Sequence, residues 1–254
     1  MKKERANHRR VILKYLGQAG FLITGQSGMK IVIDPYLTNY VERLAGFKRM
    51  QPPVSTPDNL EPDIVLSTHS HPDHLDADAF PAFISRKDTF LIGAPDCEDV
   101  YMSLGIGRNR YRILKDGETV TAGGAAIRAV HADHGELAPD AVGFLIEIDG
   151  IIIYNVGDSA LATDKILKSL GKIDVDIMIV PINGAFGNLN AVEACALGKA
   201  VCPKILIGSH FWMFVEHGGD PAAFLAESKH SNLNAMIMAP GESLEYETLK
   251  DTER

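Results

Sequence analysis

Four side chains able to ligate a metal, His69, His71, Asp73 and His74, fall within six residues of one stretch, Ser67-Thr68-His69-Ser70-His71-Pro72-Asp73-His74-Leu75-Asp76. The whole chain of 254 residues holds nine histidines, so a solvated His-rich loop is a poor account of such a cluster. Imidazole and carboxylate without thiolate bind divalent metals such as zinc, manganese or iron. In an extended segment His69 and His71 share a side. Pro72 then imposes a turn, which carries Asp73 and His74 to a second position. The spacing suits two adjacent cations better than one.

Ligands for two metals need rigid elements to present them, and the sequence supplies these at strand ends. The apolar run 64–67 leads directly into the cluster. Three more apolar runs end in ligand types. Residues 125–130 run into His131-Ala132-Asp133-His134-Gly135, 151–155 into Val156-Gly157-Asp158-Ser159, and 204–207 into Gly208-Ser209-His210. Such strands can aim several side chains at one shared face. At this stage His131 and His134 compete for one position.

Around these lie the remaining expected elements. Strands are expected over 11–15, 21–24, 30–33, 89–92, 142–148 and 175–180. Asp149-Gly150 reads as a type I′ hairpin turn. Helices are expected over 77–84, from Pro95-Asp96 to 104, and over 163–170, 190–201 and 221–229. Strand clusters alternating with helices in both halves give an α/β class, two mixed sheets with helices outside. No low-complexity linker divides the chain, so residues 1–254 read as one domain.

Composition narrows the partners. Lys plus Arg is 25 against 33 Asp plus Glu, a net charge of −8, and no nucleic-acid partner is expected from that balance. Cys97, Cys195 and Cys202 form no C-x-x-C pair, which favours a reducing compartment. The basic run 1–10 is followed by Val11-Ile12-Leu13-Lys14-Tyr15-Leu16-Gly17, too short and interrupted for a signal peptide. The expectation is a cytoplasmic protein with no membrane partner.

These motifs resemble the metallo-β-lactamase superfamily, whose signature is H-x-H-x-D-H followed by a His, a bridging Asp and a final His. Within it the sequence is most similar to the L-ascorbate 6-phosphate lactonase-like metal-dependent hydrolases. The similarity runs through Gly17-Gln18-Ala19-Gly20-Phe21, Ile33-Asp34-Pro35-Tyr36-Leu37, His69 to Asp76, Gly157-Asp158 and Pro181-Ile182-Asn183-Gly184. It continues through Gly187-Asn188-Leu189-Asn190 with Glu193-Ala194, and Ser209-His210 with Met213-Phe214.

The resemblance implies an αββα sandwich. It implies that His69, His71 and His134 bind one metal, that Asp73, His74 and His210 bind the other, and that Asp158 bridges both. His134 is favoured because Ala132-Asp133-His134 fits the family's Ala-x-His run, leaving His131 to line the pocket or support a ligand. Asp34 is expected to organise the ligand loops. His71 in place of Glu sets the chain apart from the di-iron, oxygen-reducing branch. The cofactors implied are two divalent ions, Zn2+ or Mn2+, and a homo-oligomer is implied by the same likeness.

The chemistry expected is hydrolysis by a metal-activated water, with Asp73 handling a proton and Asp158 completing the catalytic pair. The expected substrate is a small molecule, a lactone or ester, with a phosphorylated sugar acid as one candidate. The alternative is a phosphodiesterase or nuclease of the same superfamily. Asn183, Asn188 and Asn190 are candidates for sugar hydroxyls, although turn and helix-capping chemistry would also place them there. His217 follows the last ligand closely and joins the candidates for substrate contact. Arg43, Lys48 and Arg49 are candidates for a phosphate, with a solvated helix face as the plainer account.

Overall fold

A computed structural model describes residues 8–85 and 88–249. Residues 1–7 of the basic run lie outside the described residues. Runs of apolar residues without alternation fix the centres of two sheets. Ile64–Ser67 (β4) and Ile177–Pro181 (β11) are buried at every position, the signature of strands covered on both faces. Burial of Ile64, Val65 and Leu66 to 2% exposure or less stabilises the fold by roughly 2 kcal/mol per side chain.

Seven strands make the first sheet. His8–Gly17 (β1), Gly20–Gly25 (β2) and Lys30–Ile33 (β3) form an antiparallel meander, and β4, Phe90–Gly93 (β5) and Tyr111–Ile113 (β6) continue it in parallel. The second sheet repeats the plan. Thr119–Ala122 (β7), Ala125–His131 (β8), Val142–Ile148 (β9) and Ile151–Asn155 (β10) run antiparallel, then β11, Ile205–Ser209 (β12) and Ala235–Ile237 (β13) are parallel. The chain finally returns to the first sheet, where Ser243–Leu249 (β14) pairs with β1. One apolar core fills the space between the sheets.

Helices cover the outer faces. Tyr40–Ala45 (α1), Pro57–Leu60 (α2), Phe80–Ser85 (α3) and Cys97–Ser103 (α4) follow strands of the first sheet. Thr163–Leu170 (α5) packs on β8, Ala191–Val201 (α6) on β11, and Pro221–His230 (α7) on β13. The result is a two-sheet α/β sandwich with helices outside, the architecture the sequence resemblance implies. Among the described residues no helix is long and apolar enough to cross a membrane.

Asp149 and Gly150 both take positive φ, 53° and 74°, and β9 pairs with β10 from Ile148 opposite Ile151, as a type I′ turn requires. Elsewhere the boundaries move. The helix expected over 77–84 begins at Phe80, because residues 76–79 form a turn and the Asp76 side chain is bonded to another loop. Strands β6, β7, β13 and β14 were not expected. Three are only three or four residues long, and β14 alternates exposed and half-buried positions.

Candidate metal centre

Where the two sheets meet at one edge, four strand ends converge. The loop after β4 carries His69, His71, Asp73 and His74; β8 leads to His134, β10 to Asp158 and β12 to His210. The ligand loop is pinned before any side chain is aimed. His74 and Leu75 backbone N–H groups both donate to the His71 carbonyl, closing the turn at Pro72. Asp76 accepts from Leu37 N, Thr38 N and the Thr38 hydroxyl, and Asp96 accepts from Ser70 N and Oγ. Val142 N donates to the Thr68 carbonyl, joining the loop to the second sheet. Gly157 holds the Asp158 turn at φ 69°, where a Cβ would lie 2.8 Å from the Val142 carbonyl oxygen.

Three histidines are oriented by acceptors behind them. His74 Nδ1 lies 2.9 Å from Asp34 Oδ2, and Thr68 donates to both Asp34 oxygens through its N–H and hydroxyl (2.8 and 2.7 Å). The Thr68 Oγ1, its proton committed to Asp34, lies 3.1 Å from His69 Nδ1. His71 Nε2 lies 3.2 Å from the Leu137 carbonyl oxygen. Each contact takes the proton on one ring nitrogen and turns the other inward, where it can ligate a cation once it carries no proton. Asp34 thus lies behind the cluster, in a left-handed conformation at φ 43°.

The inward atoms form overlapping groups, and His217 comes within ligand range of Asp73 and His210. His69 Nε2 and His71 Nδ1 are 2.9 Å apart, and His134 joins them within ligand range. His74 Nε2 and His210 Nε2 are 3.2 Å apart, each within 3.6 Å of Asp73 Oδ2. Asp158 stands between the groups. Its Oδ1 is 3.3 Å from both His74 Nε2 and His210 Nε2, and its Oδ2 is 3.8 Å from His134 Nε2. Asn188 Nδ2 donates to Asp158 Oδ2 at 2.7 Å.

The donor set fits divalent cations. Asp158 Oδ1 and His134 Nδ1 are buried with no hydrogen-bond partner. Ring nitrogens facing each other at 2.9 and 3.2 Å need positive charge beside them, a proton or a cation, and nitrogens about 2.1 Å from a shared cation are spaced in this way.

Electrostatics point the same way. Burial works against protonation of His74, yet the carboxylates of Asp158, Asp73 and Asp34 overcome it and hold the imidazole well above its ordinary value. Burial likewise opposes charge on His210, and Asp158 and Asp73 raise it to about 9. The two carboxylates are held well below the usual range despite burial, Asp73 by His74, His210 and His217, and Asp158 by His210 and His74. Burial lowers His69 and His134, which favours the neutral, ligating form. The site is therefore built to hold two carboxylates ionised against positive charge.

Two sequence candidates lie elsewhere. His131, the last residue of β8, is not in the cluster: its Nδ1 lies 3.8 Å from Asp116 Oδ2 and its backbone N–H donates to Ser169 on α5. A strand alternates its side chains, and the turn that aims His134 inward leaves His131 facing the helix layer. Asn190 is the N-cap of α6, accepting from Val192 and Glu193 N–H groups in a capping box with Glu193. Its side chain is spent on the helix end, not on the cavity.

Asn183 is buried nearby, its Nδ2 directed to the Ala185 carbonyl, and Asn188 reaches Asp158. Of the cationic candidates, Arg43 pairs with Asp78, Lys48 lies 4.0 Å from Glu42, and Arg49 is spent on the Gln51 and Thr38 carbonyls.

Sequence reasoning missed Gln18. It sits fully buried at the tip of the β1–β2 hairpin at φ 55°. Its Nε2 donates to Asp73 Oδ2 at 2.7 Å and lies 2.8 Å from His217 Nδ1. His217 in turn stacks on His210, ring centres 5.1 Å apart and planes 3° from parallel. Burial and the neighbouring His210 lower His217 to about 4, so it stays neutral near pH 7. The available signal was a polar residue inside Gly17-Gln18-Ala19-Gly20, between two apolar strands.

Comparisons with known proteins identify the family and the fold. The sequence model of the β-lactamase superfamily domain matches residues 12–210. A metal-dependent hydrolase of Polynucleobacter asymbioticus is 30% identical over 253 residues, covering 92% of this chain and 86% of its own length. One from Pelotomaculum thermopropionicum is 32% identical over 247 residues, covering 91% and 98%. In three dimensions the isothiocyanate hydrolase from Delia radicum gut bacteria matches with a TM-score of 0.74 over 92% of this chain and 98% of that one. At 22% identity that likeness is one of fold. Family match, relatives and strand-end cluster together place the chain in the UPF0173 metal-dependent hydrolase family of the metallo-β-lactamase superfamily.

Proposed function

We propose that the protein hydrolyses a carboxylic ester or lactone of a small molecule with two divalent ions, zinc or manganese, held by the cluster. His69, His71 and His134 would hold one ion, Asp73, His74 and His210 the other, with Asp158 shared. The observation that carries this reading is the division of Asp158, one oxygen toward His74 and His210 and the other toward His134. When bound, the ions supply Lewis acidity to the carbonyl and make water nucleophilic near neutral pH.

The chain's own residues do the rest. Asp158, fixed by Asn188, keeps both halves of the site in register. Asp73 is aimed by Gln18 and lines the cavity, so its carboxylate is placed to take a proton from the attacking water and return it to the leaving oxygen. His217, neutral and stacked on His210, closes the wall behind Asp73.

Phosphodiester hydrolysis by the same ligands finds less support. Ions at the floor would meet the reacting phosphate, but among the described residues no Lys or Arg lines the cavity to hold further anionic groups of such a substrate. The same feature weighs against L-ascorbate 6-phosphate.

The test is metal-stripped protein reloaded with zinc or manganese and offered phenyl acetate, a simple γ-lactone, L-ascorbate 6-phosphate and bis(p-nitrophenyl) phosphate. Ester or lactone turnover is expected in the wild type and a loss of at least about a hundredfold in His69→Ala. Phosphodiester cleavage alone, or equal rates in the variant, would overturn the proposal.

A further inference from the structure

The cavity above the histidines, about 180 Å³, is polar only at its floor. His71, Asp73, His134, Asp158, Asn188 and His210 face it from below. Its walls are Val41, Ala45, Phe47, Leu137 and Phe186, with His217 at the junction. The three basic residues nearest in sequence to this wall are engaged elsewhere, Arg43 with Asp78, Lys48 beside Glu42 and Arg49 with backbone carbonyls. Ions held at the floor would neutralise its two carboxylates, whereas a charged group on the body of a substrate would meet the apolar wall and no cationic side chain among the cavity's lining residues. The wall itself therefore favours an uncharged, apolar body.

The aromatic groups are arranged around that space. Phe186 and His217 have ring centres 5.1 Å apart, Phe47 and His217 6.1 Å, and Phe47 and Phe186 6.3 Å. These are spacings at which aromatic rings attract one another and a ring placed among them. Phe186 takes φ 53°, a left-handed backbone that bulky residues seldom adopt, and stays 46% exposed. A phenylalanine that is both strained and half-exposed gains little from the core. Strain of this kind gathers at ligand clamps. The loop that holds Phe186 also carries Asn188, which bonds Asp158, so the wall and the cluster are one built unit. A cavity of about 150 Å³ can hold a benzene ring, so this one has room for a single aryl or short alkyl group.

We propose that Phe47, Phe186 and His217 form a clamp that seats an uncharged aryl or short alkyl group of the substrate over the ligand cluster. The substrate class is then a neutral ester or lactone bearing such a group, not a phosphorylated one. This rests on the hydrolase reading for the reaction but on the cavity wall for the binding.

Acetanilide, a neutral aryl amide used as a probe, separates the two. Its binding to metal-free protein is followed by ligand-observed NMR, beside the same molecule carrying a phosphate at the para position. Acetanilide is expected to bind more tightly than the phosphorylated form, and Phe186→Ala to weaken it about tenfold. Phe47→Ala should do the same, and if it fails to fold, Phe186→Ala, at an exposed position, decides alone. Unchanged affinity in Phe186→Ala, or preference for the phosphorylated probe, overturns the clamp. Phenyl acetate turnover by the reloaded enzyme is the second arm. Clamp-dependent probe binding without turnover supports the clamp and removes the hydrolase reading. Turnover with equal KM in wild type and Phe186→Ala keeps the hydrolase and overturns the clamp.

Discussion

Each histidine of the cluster is useful as a ligand only if the protein decides which ring nitrogen keeps its proton. For His74 that decision belongs to Asp34, 2.9 Å from Nδ1. In Asp34→Asn the amide can present N–H to the same nitrogen, which forces the proton onto Nε2 and removes the inward lone pair. Chelator competition should show metal affinity reduced about 10–100-fold, as for other residues that orient ligands. Affinity within about twofold of wild type would separate Asp34 from this role.

The same residues set the pH dependence. His74 is raised well above its ordinary 6.5 and His210 to about 9, so in metal-free protein both carry protons at neutral pH. A cation must displace those protons. Metal affinity should therefore rise with pH toward about 9 and fall as the pH drops, and calorimetry in two buffers of different ionisation enthalpy should detect proton release. The stabilisation of metal-free protein by these groups runs the opposite way. It is complete below the unfolded value of 6.5 and lost as the pH climbs through about 9 for His210. Metal binding with no proton release across that range would contradict both assignments.

At the scale of elements, the parts that could be read were those whose sequence signal is local. The buried runs at β4, β10 and β12, the Asp149-Gly150 turn and the ligands at strand ends need only a few adjacent residues to declare themselves. What escaped depends on partners far along the chain. β14 is an edge strand with Glu245 and Glu247 facing outward, and only pairing with β1, 229 to 241 residues earlier, makes it a strand. Gln18 approaches Asp73 and His217 across the whole fold, and Phe47 meets Phe186 from opposite halves.

The asparagines show how one residue type divides. Asn188 serves Asp158, while Asn190, two residues on, serves a helix end. Asn190→Ala should cost about 1 kcal/mol in urea unfolding and leave kcat/KM unchanged, because only the helix cap is lost. A large fall in kcat/KM at full stability would return Asn190 to the substrate contacts.

At the scale of the molecule, the cluster is drawn from both sheets. The loop after β4 belongs to the first, and β8, β10 and β12, which lead to His134, Asp158 and His210, to the second. Cations held there would join the two halves of the sandwich at one edge, beside backbone links such as Val142 N to the Thr68 carbonyl and His210 N to the Gln18 carbonyl. Binding to the folded chain alone stabilises it by about 2.7 kcal/mol at a hundredfold excess over Kd. For a chain of this size that corresponds to a rise in Tm of roughly 5–10 °C. Chelator-stripped protein should lose that increment and regain it on reloading with zinc or manganese. In Asp158→Ala the increment should shrink sharply, because the carboxylate between the two groups is gone, and the metal-free Tm must be compared separately, since removing a buried anion leaves His74 and His210 short of counter-charge. A metal-dependent Tm rise as large in Asp158→Ala as in the wild type would mean that Asp158 takes no part in holding the ions.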